Sequence, residues 1–322
     1  MNRAVLKKCI IEVRLLLAAC ALALFAFCWV RVWIVSTIES SVFSSILDKL
    51  WDKFESFAPV PLSQLVTYTG RIAMTYDEPI VVMCMSLFAI ARGSDAVSGE
   101  LNRGTMEMLL AQPVSRLQVL TTQAIVTITG VILLAVASYA GVATGVQLTS
   151  VQEEPPARVL EIPGFSFNIP LEFKPREKVT IPMRERVKTE HLIPGAVNLL
   201  CLGVCLAGLA TLVSSWERYR WRTIGIIVTF WVLSTVAKVL GTAVDGWEVL
   251  RYVSIFTAYE PQKFISIAMN APDFNWALSY ASAKGPIELG PLGCNLILLF
   301  IGAVGYIFSA IIFIKRDLPA PL

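Results

Sequence analysis

Residues 93–116 read GSDAVSGELNRGTMEMLLAQPVSR. The stretch is charged and helix-prone, and it stands between two long apolar runs. It is too polar to sit in lipid and too short to form a domain, so its neighbours settle the fold. The chain has 322 residues, is 56% hydrophobic, and carries its charge in clusters. A hydrocarbon core ~30 Å thick takes roughly 20 helical residues to cross. Lipid offers backbone N–H and C=O groups no partner, so runs of that length must be helices. The class is an all-α polytopic membrane protein. A net charge of +3 is small and carries no nucleic-acid signal.

Working outward, the pattern predicts six spans, at about 10–36, 79–97, 117–146, 193–215, 223–244 and 292–314. The apolar heart of the second, Ile80 to Ala91, is short. Extending it to Val97 takes in Arg92 and Asp95, three apart on one face, where they can pair. Asp77 is placed to cap this helix and Pro79 to enter its first turn. Pro113 breaks the chain before the third span, and Ser115 with Gln118 makes a capping box at its start. Arg3, Lys7, Lys8 and Arg14 precede the first span; Arg218, Arg220 and Arg222 fill the turn after the fourth; Lys315 and Arg316 follow the last. The positive-inside rule then puts both termini, and residues 98–114, in the cytoplasm. Leu17-Ala18-Ala19-Cys20 resembles a lipoprotein cleavage box. Arg14 leaves too few apolar residues before it for a signal sequence, so the run is read as an uncleaved first span. Arg31, Lys238, Asp77 and Glu78 fall near span ends, where snorkelling or capping is expected.

Three segments are assigned to the outer side. Over 38–57, Ile38, Val42, Ile46, Leu50, Phe54 and Phe57 recur at helical spacing opposite charged residues, which predicts an interfacial amphipathic helix or one packed on the bundle. In the 149–192 insert, Phe165, Phe167, Ile169, Leu171 and Phe173 alternate with other residues, as do Val179, Ile181, Met183 and Val187. This predicts a small extracytoplasmic β-hairpin turning at Pro175-Arg176-Glu177, with Pro170 and Pro182 confining its strands to edges. The loop over 245–289 is mixed and leaves open whether short helices dip back into the outer leaflet.

No residue set for catalysis emerges. His191, the single histidine, sits in a polar loop beside a span and reads as a surface residue rather than a base. Gly99, Gly104 and Thr105 fall on the glycine and threonine places of a phosphate loop, but the lysine is missing and no strand precedes them. Cys201 and Cys205 share a helix face and Met83-Cys84-Met85 invites a copper reading. Small or soft packing residues account for both, and no metal or cofactor site is assigned in this chain. None of the seven cysteines lies in the extended polar loops, so no disulfide framework is implied.

Within the opening stretch, Thr105 can cap a helix running to Gln112, with Glu107 in its first turn. Met106, Leu109 and Leu110 give that helix an apolar face, Arg103 and Glu107 stay polar, and Gly99 and Gly104 permit bends before it. The result is a stiff peg carried between two spans. Here the sequence resembles the permeases of ABC type-2 transporters. Gly99-Glu100, Arg103, Gly104-Thr105, Leu109-Leu110 and Pro113-Val114-Ser115-Arg116 follow that family's pattern after the second span, and six spans with both ends inside match its topology. The run from Tyr252-Val253-Ser254 to Tyr259-Glu260-Pro261 is a weaker likeness, and the 149–192 insert departs from the simplest members.

The resemblance implies that this segment is the coupling helix, docking on a cytosolic ATP-binding cassette ATPase through Gly99, Glu100, Arg103, Gly104, Thr105, Glu107, Leu109, Leu110, Pro113 and Arg116. ATP and magnesium would belong to that separate chain, and this one would not be an enzyme. A second permease copy or a homologue would complete the pathway in a bacterial inner membrane, with lipid around it. Export is the expected direction, since the family is mostly exporters. The alternative is the same architecture used for mechanotransmission, or for assembly or maturation of an extracytoplasmic protein.

Overall fold

The computed structural model describes residues 3–38, 61–111, 113–153, 159–160, 169–170, 178–244, 246–281 and 287–316. Six helices among them are long and apolar enough to cross a membrane. The chain is a multi-pass membrane protein. The first span is α1 (Arg3–Thr37). The second runs from Tyr68 to Asn102 and is interrupted at Glu78, whose backbone is extended. It contains α2 (Tyr68–Ala73) and α3 (Pro79–Ser94). A six-residue helix, α4 (Thr105–Leu110), leads to the third span, α5 (Arg116–Leu148). Then come α6 (Ile193–Trp216), α7 (Arg220–Ala243), the shorter α8 (Pro261–Asn270), and α9 (Pro291–Lys315).

The start of α1, the segment around α4, the α6–α7 turn and the end of α9 meet at one end of the bundle, here termed basal. α6 is the central helix. Its Gly208 faces α9 so closely that an added Cβ would stand 2.2 Å from the carbonyl oxygen of Gly302, and one on Gly305 would stand 2.7 Å from the backbone of Gly208. Small residues permit such backbone contact, which is how helices gain packing energy where lipid removes the hydrophobic drive. Cys201 and Cys205 are buried on this same helix, and Cys205 Cα lies 3.1 Å from the Cβ position of Gly302. By contrast α7 buries only Thr223, Ile227, Ser234 and Gly241.

At the opposite, apical end the chain folds back on itself. Three short helices follow α7, over Val249–Val253, Ile255–Ala258 and α8. Phe264 and Ile265 of α8 are fully buried. Asn198 of α6 donates to the carbonyl of Ala258 (3.0 Å) and to Asn295 Oδ1 (2.8 Å), while its own oxygen accepts from the N–H of Glu260 (3.1 Å). Tyr259 donates its hydroxyl to the carbonyl of Tyr76 at 2.5 Å.

Several local expectations are corrected. The cap of α3 is Glu78, not Asp77, which closes a short 3-10 turn over Met74–Asp77. Pro79 does take the first helical position, where its missing N–H costs nothing. Lys238 does not snorkel: its ammonium donates to the carbonyls of Phe256 (2.8 Å) and Tyr259 (3.0 Å). Arg31 instead pairs with Glu78 at 2.9 Å.

In the insert, β4 (Val179–Pro182) is a strand, but its antiparallel partner is β1 (Ser150–Glu153), which leaves the end of α5 directly. Residues 159–160 and 169–170 form a separate two-residue pair, β2 and β3. Met183 starts a helical turn to Arg186, so the alternation does not continue as strand to Val187. The expected turn at 175–177 and the amphipathic segment from Glu39 to Phe57 lie outside the described residues. A further strand pair, Ser279–Ala281 with Ile287–Leu289, precedes α9.

Candidate coupling site

The site begins where α3 loses its regular pitch. Over Asp95–Gly99 the helix widens to a π turn. Such bulges release backbone groups from the regular ladder. Ser214 of α6 accepts from the N–H groups of Val97 (3.1 Å) and Ser98 (2.9 Å) and donates to the carbonyl of Ser94 (3.0 Å). Ser98 Oγ also lies 3.1 Å from Thr223 Oγ1 of α7. The wide turn is therefore tied to both neighbouring spans. A Cβ on Gly99 would meet Asp95 Oδ1 at 2.1 Å. Gly99 thus makes room for that carboxylate within ordinary helical backbone, instead of bending the chain.

Two buried carboxylates then organise the cations. Asp95 takes Arg103 at 2.7 Å, Arg220 at 3.3 Å and Arg92 at 3.4 Å. Arg92 reaches behind it to Gln123 Oε1 of α5, at 2.6 Å. Glu100 is fully buried, and Lys8 of α1 lies 2.7 Å from both of its oxygens. Arg103 adds a contact of 3.2 Å to Glu100, and the Thr105 hydroxyl donates to it. Burial works against the charge on Arg103, but the hydrogen bond to Asp95 and the fields of Asp95 and Glu100 outweigh it, lifting its pKa above the ordinary guanidinium value. Burying charges costs several kcal/mol per ion unless each is paired, and each of these has at least one partner of opposite sign.

Gly104 sets the direction of α4. Its φ of +69° is left-handed, which glycine adopts without strain, and it occupies the cap position of the helix. Thr105 is therefore not the cap; its hydroxyl serves Glu100 instead. The helix ends at Leu110. Met106 packs with Val97, Leu120 and Phe313, and Leu109 joins the main core. Asn102, Arg103, Gly104, Glu107, Met108, Ala111 and Pro113 remain exposed. Ser115 closes the segment with the expected capping box to Gln118. Arg116 does not face outward alone: its Nη1 donates to the carbonyls of Phe313, Ile314 and Arg316 at 3.3, 3.3 and 2.6 Å, holding the end of α9.

The ten residues singled out from the sequence thus divide. Arg103, Gly104, Glu107 and Pro113 present outward; Gly99, Glu100 and Leu109 turn inward; Thr105 and Arg116 bridge. Leu110 lies on α4, its side chain not described. Lys8, Asp95, Ser214, Arg220 and Met108 were missed as site residues. The Arg92–Asp95 spacing signalled one of them; Lys8, 92 positions from Glu100, gave no local sign.

The buried ion pairs hold this peg between the apolar spans of a multi-pass membrane protein. The family model for ABC-2 family transporter proteins matches residues 9–171, just over half of the chain, and the chain belongs to that family. The match takes in the first three spans, α4 and the start of the insert. No curated protein matches the chain. Permeases of this family partner with ATP-binding cassette ATPases.

Proposed function

We propose that this permease receives mechanical work from a separate cytosolic ATP-binding cassette ATPase and uses it to export a substrate. The observation that carries the reading is the exposed face of α4. Glu107 and Met108 of the helix, with Arg103 and Gly104 before it and Ala111 and Pro113 after it, form a small outward surface on a segment whose other side is locked to α1, α5 and α9. Force on that surface reaches several spans, because the buried ion pairs and Ser214 leave the peg little independent motion. In this reading the basal end is cytoplasmic, in accord with Arg3, Lys7, Lys8, Arg218, Arg222, Lys315 and Arg316 clustering there. The pathway forms between two permease subunits in the inner membrane of a bacterium, and ATP and magnesium stay with the ATPase.

The test is co-purification and crosslinking. A cysteine at Met108, in a chain whose own cysteines are replaced, should crosslink to the ATPase subunit, while one at Leu109 should not. Crosslinking from neither site, with ATPase activity still coupled, would overturn the assignment. A second reading, transmission of motion to a protein gripped outside, is favoured by the apical fold-back. Tyr259, on its buried segment, bonds directly to the carbonyl of Tyr76 in the second span, the helix that carries the peg. Substrate accumulation in vesicles would support export over this alternative.

A further inference from the structure

Beside the ion-pair network a cleft of about 350 Å³ opens at the basal end, lined by Glu12, Leu16, Ala91, Arg92, Asp95, Arg103 and Arg220. Its walls come from three spans: α1, the second span and the start of α7. Three arginines face two carboxylates across it, one positive charge in surplus. Arg92 and Arg220 also keep a buried Nε with no acceptor among the described residues. Those two atoms are shut off from solvent, so an anion entering the cleft would meet the exposed ends of Arg103 and Arg220.

Its depth in the bundle is informative. Between Arg14 and Arg31, α1 carries no charge. Glu12 and Leu16 therefore straddle the point where the helix passes from a polar to an apolar surrounding. Leu15, next to the cleft residue Leu16, is 80% exposed, as befits a lipid-facing side chain. The cleft is thus cationic at one end and apolar at the other, and it opens where a bilayer's headgroups give way to acyl chains. Basic pockets between spans at this level suit lipid headgroups.

We propose that this cleft seats the phosphodiester headgroup of a membrane phospholipid, whose acyl chains lie along the exposed face of α1. Arg103 and Arg220 hold the phosphate oxygens; both are partly exposed, at 38% and 36% of the side chain. Glu12, itself 3.6 Å from Lys8, faces the polar end of the headgroup and accepts from a hydroxyl or ammonium there. The lipid phosphate would give Arg103 and Arg220 a second anionic partner beside Asp95 and so stiffen the joint between α1, the peg and α7. The proposal does not depend on an ATPase docking at α4.

The test uses the full chain in detergent, titrated with phosphatidylglycerol and read by native mass spectrometry, with inorganic phosphate as competitor. Ala91→Phe fills the cleft without removing a charge. It should abolish the tightest lipid binding while leaving thermal unfolding of the lipid-free protein near that of the parent. Arg220→Gln should weaken binding about fivefold, the share of one arginine near an anionic surface. Undiminished lipid binding by a folded Ala91→Phe protein would overturn the proposal. So would displacement of the lipid by millimolar phosphate, which would assign the cleft to a free anion. If Ala91→Phe fails to fold, Leu16→Trp makes the same comparison from the α1 wall, with the same reading of each result.

Discussion

The two ends of the bundle are held by different physics. At the basal end, α4 is six residues long and is secured through charge: Glu100 and Asp95 gather Lys8, Arg92, Arg103 and Arg220 from three spans and the peg itself. At the apical end, α8 is secured by burial of Phe264, Ile265, Ile267 and Ala268, and its approach by single donors on backbone carbonyls, the neutral Asn198 and Tyr259 and the ammonium of Lys238. Apolar packing is short-ranged and resists any displacement, whereas ion pairs act over distance and tolerate small changes of angle. An element that must transmit force while staying attached is better served by the second kind of bond. The contrast can be broken at either end.

The largest effect is expected from Glu100→Ala. It takes the buried acceptor from Lys8 and the Thr105 hydroxyl and leaves a cavity, with Arg103 held by Asp95 alone, at a cost of about 3 kcal/mol, the low end for a broken buried pair because both cations are partly exposed. Thermal unfolding in detergent should fall sharply, and the peg should become accessible to protease near Gly104. An unchanged melting temperature would show that charge does not hold this end. Ser214→Ala comes next. It leaves the N–H groups of Val97 and Ser98 without their acceptor, at about 1–3 kcal/mol, and hydrogen exchange should rise at those two amides alone. At the apical end, Tyr259→Phe removes one neutral bond and leaves the ring packed, so a loss of about 1 kcal/mol is expected, again by thermal unfolding. If Tyr259→Phe proves more damaging than Glu100→Ala, the contrast fails. Smallest in stability is Met108→Ala on the exposed face of α4, within about 0.5 kcal/mol of the parent. Its effect should show only in reduced co-purification of the ATPase subunit.

The spans were legible because lipid enforces long apolar runs, and the Arg92–Asp95 pairing because helical spacing brings positions three apart together. The capping box at Ser115 and Pro79 at a helix start were legible for the same local reason. What the sequence hid was distant. The inward turn of Glu100 depends on Lys8 of α1, and the place of Gly99 on the size of Asp95. The partner of β4 turned out to be Ser150–Glu153 because the end of α5 delivers that segment beside it, a matter of where helices stop rather than of alternation. Thr105 looked like a cap because its type suits one. Gly104 took the position because only a left-handed residue turns the chain there without strain.

The backbone contact between Gly208 and Gly302 has a bearing on motion. Helices separated by long side chains can slide, since rotamers yield; here no such cushion exists, because the backbones approach so closely that a Cβ on Gly208 would stand 2.2 Å from the Gly302 carbonyl oxygen. α6 and α9 therefore behave as one double-walled strut. Whatever stroke the protein makes has to be taken up by its sparsely buried flank, α7, swinging against a spine that does not deform.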